Sequence, residues 1–317
     1  MNLNTVLVSG GAGFIGSQLI KQLLPQSSKI YVIDNLSTGN LNNIPNSSKI
    51  VFIKGSVTDK YLLREIMPKI DYVFHLACSN LVKSVDDMEL DFHTNLYGQY
   101  ILLHAAKTYG KTLKRIVYTS TASIYSEAEI LPTPETYYKI RLPYAASKFS
   151  AEHYCSVFYH MYSLPITVLR LSNVYGPGQT TTNPYCGVVA KFFEASLNGD
   201  PLPIYGDGQQ TRDFTYIADT LNAILLSATR PEAIGQIYNV GTGIETPILT
   251  LANHIQNITG ATEASIIHLP KRSIDIIARR SINADKIREA LQWDTQYSLI
   301  AGLTETLRWI EKERIIQ

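Results

Sequence analysis

The chain has 317 residues, room for two domains of ordinary size or one large domain with an appended lobe. Apolar residues make up 45% and charged residues 17%, a globular composition that excludes a disordered or fibrous protein. With 28 Lys and Arg against 27 Asp and Glu, the net charge is +1, and no strong field points to nucleic acid or a membrane surface.

No apolar run approaches the roughly 18 residues that span a bilayer, and Met1 to Gly10 lack the basic segment and apolar core of a signal peptide. Cys78, Cys155 and Cys186 are far apart and show no zinc spacing. A reduced, cytoplasmic protein without a structural metal is expected.

Thr5-Val6-Leu7-Val8-Ser9 reads as a buried strand, followed by a glycine-rich turn and a helix from Ser17 to Leu24, stopped by Pro25. Further strands are expected at Ile30–Ile33, Ile50–Ile53, Tyr72–Leu76, Arg115–Thr119, Ile166–Leu169 and Gln236–Val240, and a long helix at Asp91–Tyr109. Strands alternating with helices predict a doubly wound α/β fold on a parallel sheet. After about residue 172 the texture changes: Tyr175-Gly176-Pro177-Gly178, Asn183-Pro184, Pro201, Pro203, Gly206 and Gly208 punctuate the chain, and a last helix is expected from Leu299 to Lys312. This predicts a smaller lobe built from segments that leave and rejoin the sheet.

Gly10, Gly13 and Gly16 carry a GxxGxxG spacing between a strand and a helix. One glycine serves the tight turn, one lets a pyrophosphate approach, and one lets helix and strand pack closely. The helix N-terminus offers free N–H groups and partial positive charge to phosphates. The second strand ends in Asp34, whose carboxylate suits a ribose 2′-OH and repels a 2′-phosphate. The pattern predicts dinucleotide binding, NAD over NADP, with Asn35, Ser37 and Thr38 continuing around the ribose.

Tyr144 and Lys148 stand four residues apart at the start of a helix after Pro143, on one face. A nearby ammonium and a positive nicotinamide ring are expected to lower the phenol pKa from about 10, so that Tyr144 takes a proton from a sugar or alcohol hydroxyl. Thr119-Ser120-Thr121-Ala122-Ser123 closes the fifth strand at the sheet edge where ligands bind, and Thr121 can orient the reacting oxygen.

Together with His75-Leu76-Ala77, Thr94-Asn95, Leu169–Pro177 and Gly206-Asp207-Gly208 followed by Arg212-Asp213-Phe214, these motifs resemble the extended short-chain dehydrogenase/reductase family in its nucleotide-sugar epimerase/dehydratase branch. The resemblance spans essentially the whole chain. It implies a Rossmann doubly wound parallel sheet with a smaller C-terminal substrate-binding lobe. The NAD-binding domain is expected at 1–172 plus about 213–242, the nucleotide-sugar lobe at about 173–212 plus 243–317. A homodimer paired through Asp91–Tyr109 and Ser147–Tyr162 is also implied.

Carried over position by position, the resemblance puts Phe14 and Ile15 on the pyrophosphate through backbone N–H, Gly39 beside the ribose loop, and Ser56 and Val57 beside the adenine. Ser56 stands where the family usually has Asp. Leu76, Ala77, Ser79, Asn95, Thr119, Ser120 and Val174 would line the cofactor channel with Tyr144 and Lys148. For the substrate it implies Lys83, Thr121, Ser123, Tyr144, Asn173, Val188, Ile204, Tyr205, Arg212, Arg272 and Asp275, the last two within Pro270-Lys271-Arg272-Ser273-Ile274-Asp275. Arginine suits a diphosphate through its planar fork of donors.

The shared first step is oxidation at C4 of a hexose. In 4,6-dehydratases of the family the two positions after the catalytic Thr are typically acidic, and in decarboxylases the second of them is. Here they are Ala122 and Ser123. The expected function is therefore 4-epimerisation of a UDP-hexose or derivative, with 4,6-dehydration or decarboxylation as the alternative and Lys83 or Cys78 as a substitute proton carrier. A non-catalytic dinucleotide-sensing regulator is the reading from another class, disfavoured by the intact Thr121, Tyr144 and Lys148.

Overall fold

The computed structural model describes residues 3–183, 185–262, 264–272 and 274–316; Met1, Pro184 and Ser273 of the motifs above lie outside them. Each βα repeat read from the sequence becomes one. β1 (Thr5–Ser9) leads into α1 (Phe14–Leu23), and β2 (Lys29–Asp34) and β3 (Ile50–Lys54) follow. Next come α2 (Lys60–Ile66), β4 (Tyr72–His75), α3 (Leu81–Asp86), α4 (Met88–Asp91), α5 (Gly98–Tyr109), β5 (Arg115–Thr121), α6 (Pro143–Tyr162) and β6 (Ile166–Leu171). The chain continues through β7 (Asn173–Tyr175), α7 (Val188–Asn198), β8 (Leu202–Tyr205), β9 (Thr211–Arg212), β10 (Phe214–Tyr216), α8 (Ile217–Thr229) and β11 (Ile237–Val240). It ends with β12 (Thr246–Pro247), α9 (Ile248–Thr259), β13 (Ile266–Leu269), α10 (Asp285–Leu291) and α11 (Leu299–Ile316).

Seven strands form one parallel sheet in the order β11-β6-β5-β4-β1-β2-β3. The order reverses between β1 and β4, whose register pairs Ser9 with His75 at the carboxyl edge. That reversal is the switch point where open α/β sheets take ligands. The strands carry apolar side chains on both faces because helices cover both. One core joins Leu7, Val73, Ile116, Tyr118 and Val168 of the sheet to Leu63 of α2, Leu102 and Ala106 of α5, and Ala151 and Phe158 of α6.

The expected continuous helix from Asp91 is interrupted. α4 stops at Asp91, Phe92–Tyr97 is a single π-helical stretch, and α5 resumes at Gly98. Such stretches recur at functional sites; here it holds Asn95.

Two compact units emerge: 1–124, 140–170 and 221–238 in the first, and 125–139, 171–220 and 239–317 in the second. The expected boundaries need correction. Residues 213–220 and 239–242 belong to the second unit, as does 125–139. The reason is hydrogen bonding: Asn239 accepts from Tyr125 Oη at 2.6 Å and donates to Thr133 O at 3.0 Å, while its N–H meets Glu135 Oε1 at 2.9 Å. In the second unit β10 pairs with β7, β12 with β9 and β13 with β8, each a short two-stranded piece. Among the described residues no helix is long and apolar enough to cross a membrane, and no group of three or more His, Cys, Asp or Glu could hold a metal ion.

Candidate active site

The turn after β1 is shaped by two different demands on glycine. Gly10 has φ +71°, and a Cβ there would lie 2.7 Å from Ala77 N. A Cβ on Gly16 would lie 2.2 Å from the Gly10 carbonyl oxygen. Both are fixed by the protein's own packing. Gly13 is different: its φ −78° and ψ −179° suit any residue, and an added Cβ would meet only Gly10 O, at 3.3 Å. Internal packing does not require this glycine, whereas an approaching phosphate does. Phe14 and Ile15 open α1, so their N–H groups belong to the unpaired first turn.

Asp34 is 8% exposed; Oδ2 accepts from Ala12 N at 2.9 Å and Oδ1 from Leu36 N at 2.8 Å. The carboxylate is thus held beside the glycine turn with lone pairs left for a ribose hydroxyl. Asn35 accepts from Ser37 N at 3.0 Å, and Asn35, Ser37 and Thr38 are exposed. Gly39 packs on Ala12. Ser56 hydrogen-bonds Thr58 at 2.8 Å and keeps an acceptor lone pair, while the Val57 side chain is buried against Gly98. At the ends of β4 and β5, Leu76 and Ala77 are half-buried, and Thr119 Oγ1 donates to His75 O at 3.1 Å. The Oγ atoms of Ser79 and Ser120 are buried without a hydrogen-bond partner among the described residues. An open phosphate approach, a fixed carboxylate and orphaned hydroxyls fit a dinucleotide.

Pro143 stands in the first turn of α6, where its missing N–H costs nothing. The helix therefore begins in time to carry Tyr144 and Lys148 one turn apart. Thr121 accepts from Ser123 N at 3.0 Å and faces the Tyr144 phenol, where its hydroxyl favours the ionised form. Cys78, an exposed thiol named above only as a substitute proton carrier, faces the same phenol and disfavours its ionised form. Lys148 is 2% exposed, with Nζ 4.3 Å from the Tyr118 ring centroid.

The expected acidity of Tyr144 is overturned for the protein alone. Burial first, then Cys78, holds the phenol well above its usual pKa, and the Thr121 hydroxyl only partly opposes this. A desolvated phenolate is disfavoured, and the sequence does not reveal that desolvation. Burial also lowers the Lys148 pKa, against Cys78, Glu152, Cys155 and Asp91, which raise it. His75, stacked on Tyr118, is pushed down to about 3 by burial and by Lys148 and is neutral.

In the second unit, Arg272, Tyr205 and Asp275 come together. The Arg272 guanidinium lies 4.4 Å from the Tyr205 ring centroid and forks onto Asp275 at 2.7 and 2.8 Å. The ring face expected to stack on a base is thus met by Arg272. Arg212 donates to the carbonyls of Thr211 at 2.7 Å and Ile277 at 3.1 Å; burial lowers its pKa, Asp275 raises it and Arg272 lowers it. Two arginines facing one carboxylate keep a positive excess. Ile204 is fully buried, so its side chain belongs to the core. Asn173 opens β7 beside half-buried Val174, and Val188 begins α7. Lys83 lies on α3 of the first unit.

Sheet order, glycine turn and acidic strand end define a dinucleotide-binding Rossmann protein. The chain belongs to the NAD dependent epimerase/dehydratase family, whose model matches residues 6–241. A UDP-glucose 4-epimerase of Mycolicibacterium smegmatis is 35% identical, over 97% of this chain and 98% of the relative. UDP-glucose 4-epimerase of Thermotoga maritima, solved with UDP-glucose, superposes with TM-score 0.91 at 34% identity, covering 98% of this chain and 99% of that one. A dTDP-glucose 4,6-dehydratase of Streptomyces venezuelae, solved with NAD, gives TM-score 0.90 at 29% identity over 98% of each chain.

Proposed function

We propose that the protein is an NAD-dependent nucleotide-sugar 4-epimerase acting on a UDP-hexose or a derivative of one. The observation that carries this reading is the buried Tyr144 phenol, facing Thr121 one helical turn from Lys148, with Ala122 and Ser123 where a dehydratase would have acids. Gly13, Phe14, Ile15 and Asp34 hold the dinucleotide. When bound, NAD supplies the hydride acceptor at C4 and a positive ring charge that favours the phenolate. Tyr144 then removes the O4 proton and later returns it, while Thr121 holds the reacting oxygen in line. Arg212 and Arg272 offer their positive excess to a diphosphate, with Asn173 beside it.

A homodimer fits the exposed apolar side chains of Met88, Leu90, Phe92 and Tyr100 with Tyr154, Val157 and Met161 of α6, where Tyr100 and Tyr154 meet edge to face at 5.8 Å. Three free cysteines fit a reducing, cytoplasmic setting.

The test is incubation with NAD and UDP-glucose, UDP-galactose or their N-acetyl derivatives. Interconversion of C4 stereoisomers without net NADH supports the reading. A stable 4-keto-6-deoxy product or released CO₂ would replace it with dehydration or decarboxylation.

A further inference from the structure

Asp91 is a buried carboxylate to which the mechanism above assigns no part. It ends α4 and is 3% exposed. Its Oδ1 accepts from Ser84 Oγ and from Asn95 Nδ2, each at 2.5 Å. Asn95, in the π-helical stretch, accepts from Ser79 N at 2.7 Å and reaches Ser147 Oγ at 3.4 Å. Ser147 in turn donates to the carbonyl of Tyr144 at 3.1 Å. One network therefore links Asp91 to the loop after β4 and to the first turn of α6.

Its two hydrogen-bond donors are neutral, so the Asp91 charge requires a cation nearby. The ionisable groups facing Lys148 are, in falling order of influence, Cys78, Glu152, Cys155 and Asp91, with neutral His75 also in its field. Glu152 is already held by Arg170, with Nη2 to Oε2 at 2.7 Å. Cys155 remains a thiol, pushed up to about 12 by burial. The other charged groups on the elements packed against α4 are Lys83 and Asp86 of α3, and at the surface Glu89 beside His93. Cys78 is an exposed thiol, which leaves Asp91 as the buried carboxylate facing Lys148 that no arginine holds among the described residues.

We propose that Asp91 is a positioning residue of this site: its carboxylate balances the buried Lys148 ammonium and, through Asn95 and Ser147, fixes the turn that carries Tyr144. The inference rests on the epimerase reading, and its electrostatics give it a distinct signature. Asp91 disfavours loss of the Lys148 proton and also disfavours the Tyr144 phenolate. Neutralising it makes both groups more acidic.

The experiment compares the wild type with Asp91→Asn, whose amide oxygen can still accept from Ser84 and Asn95. The bell-shaped pH profile of kcat is expected to slide as a whole to lower pH, by a few tenths of a unit or more, with NAD still bound. Ser84→Ala, which keeps the charge and removes a donor, is expected to leave the bell in place. A folded, NAD-binding Asp91→Asn whose bell loses height without moving would overturn the proposal. Should that variant fail to fold, Asp91→Ser, with room for a water between Ser84 and Asn95, reads the same displacement. The phenolate difference absorbance of each protein against its Tyr144→Phe counterpart supplies a readout without turnover. If the wild type turns over no UDP-hexose, the epimerase reading fails, and an unmoved Tyr144 titration in Asp91→Asn separately overturns this one.

Discussion

Arg170 on β6 grips Glu152 on α6 through Nε, 3.1 Å from both carboxylate oxygens, and Nη2, 2.7 Å from one, with only 4% and 2% of the two side chains exposed. The clasp fixes the helix that carries Tyr144 and Lys148 against the sheet. It also keeps Glu152, one turn beyond Lys148, from claiming that ammonium. Arg170→Met is expected to cost about 3–5 kcal/mol in urea denaturation, because a buried carboxylate loses its partner. The double variant Arg170→Met/Glu152→Leu should recover most of that loss.

The glycine turn separates stability from binding. Gly13→Ala has an allowed backbone and meets only the Gly10 carbonyl oxygen, tightly at 3.3 Å, so its thermal midpoint without NAD should change far less than that of Gly16→Ala. The NAD affinity of Gly13→Ala, read by calorimetry, should fall on the order of tenfold or more, because the methyl stands where a phosphate approaches. Gly16→Ala drives a methyl into the Gly10 carbonyl and should destabilise by about 3 kcal/mol with or without NAD.

Tyr144→Phe keeps the ring and removes the proton carrier. NAD binding should persist while kcat falls by about 10² to 10⁴. An unchanged rate in single-turnover assays would count against the phenol as base.

The Cys78 thiol is exposed and faces the same phenol. Iodoacetamide should label it ahead of buried Cys155, and NAD with a UDP-hexose should slow the labelling at least several-fold by peptide mass spectrometry. Equal labelling with and without ligands would show that the thiol lies outside the occupied site.

His75 gives a pH signature to stability. Its folded pKa of about 3 lies below the unfolded value of 6.5, so its contribution is fully present above 6.5 and is lost as pH falls toward 3. Below pH 6.5 the slope should approach about 1.4 kcal/mol per pH unit for this group. Denaturation of His75→Asn from pH 7 to 5 should show a shallower decline than the wild type.

The sequence revealed most where local chemistry acts alone. The glycine spacing, the strand ending in Asp34, and Tyr144 with Lys148 behind Pro143 are all short-range signals, and each stands where it was expected. The π-helical stretch at Phe92–Tyr97 was illegible, because one inserted residue per turn leaves the apolar period nearly intact. Strands of two or three residues such as Thr211–Arg212 carry no periodicity at all. The desolvation of Tyr144 is illegible for a different reason: i to i+4 spacing reports which residues share a face, not how far water is excluded from it. The contact of Cys78 with that phenol joins residues far apart in the chain, and no local rule reports such a meeting.

The interleaving of the two units has a consequence for biosynthesis. Edge strand β11 belongs to the sheet yet lies at Ile237–Val240, after two of the three segments of the second unit have been translated. A nascent chain on the ribosome holds an incomplete sheet, with β6 as its temporary margin, until Val240 has emerged. Neither half can be released by a single cut, so expression of isolated fragments should yield insoluble material, and chaperone dependence should concentrate in that window of synthesis.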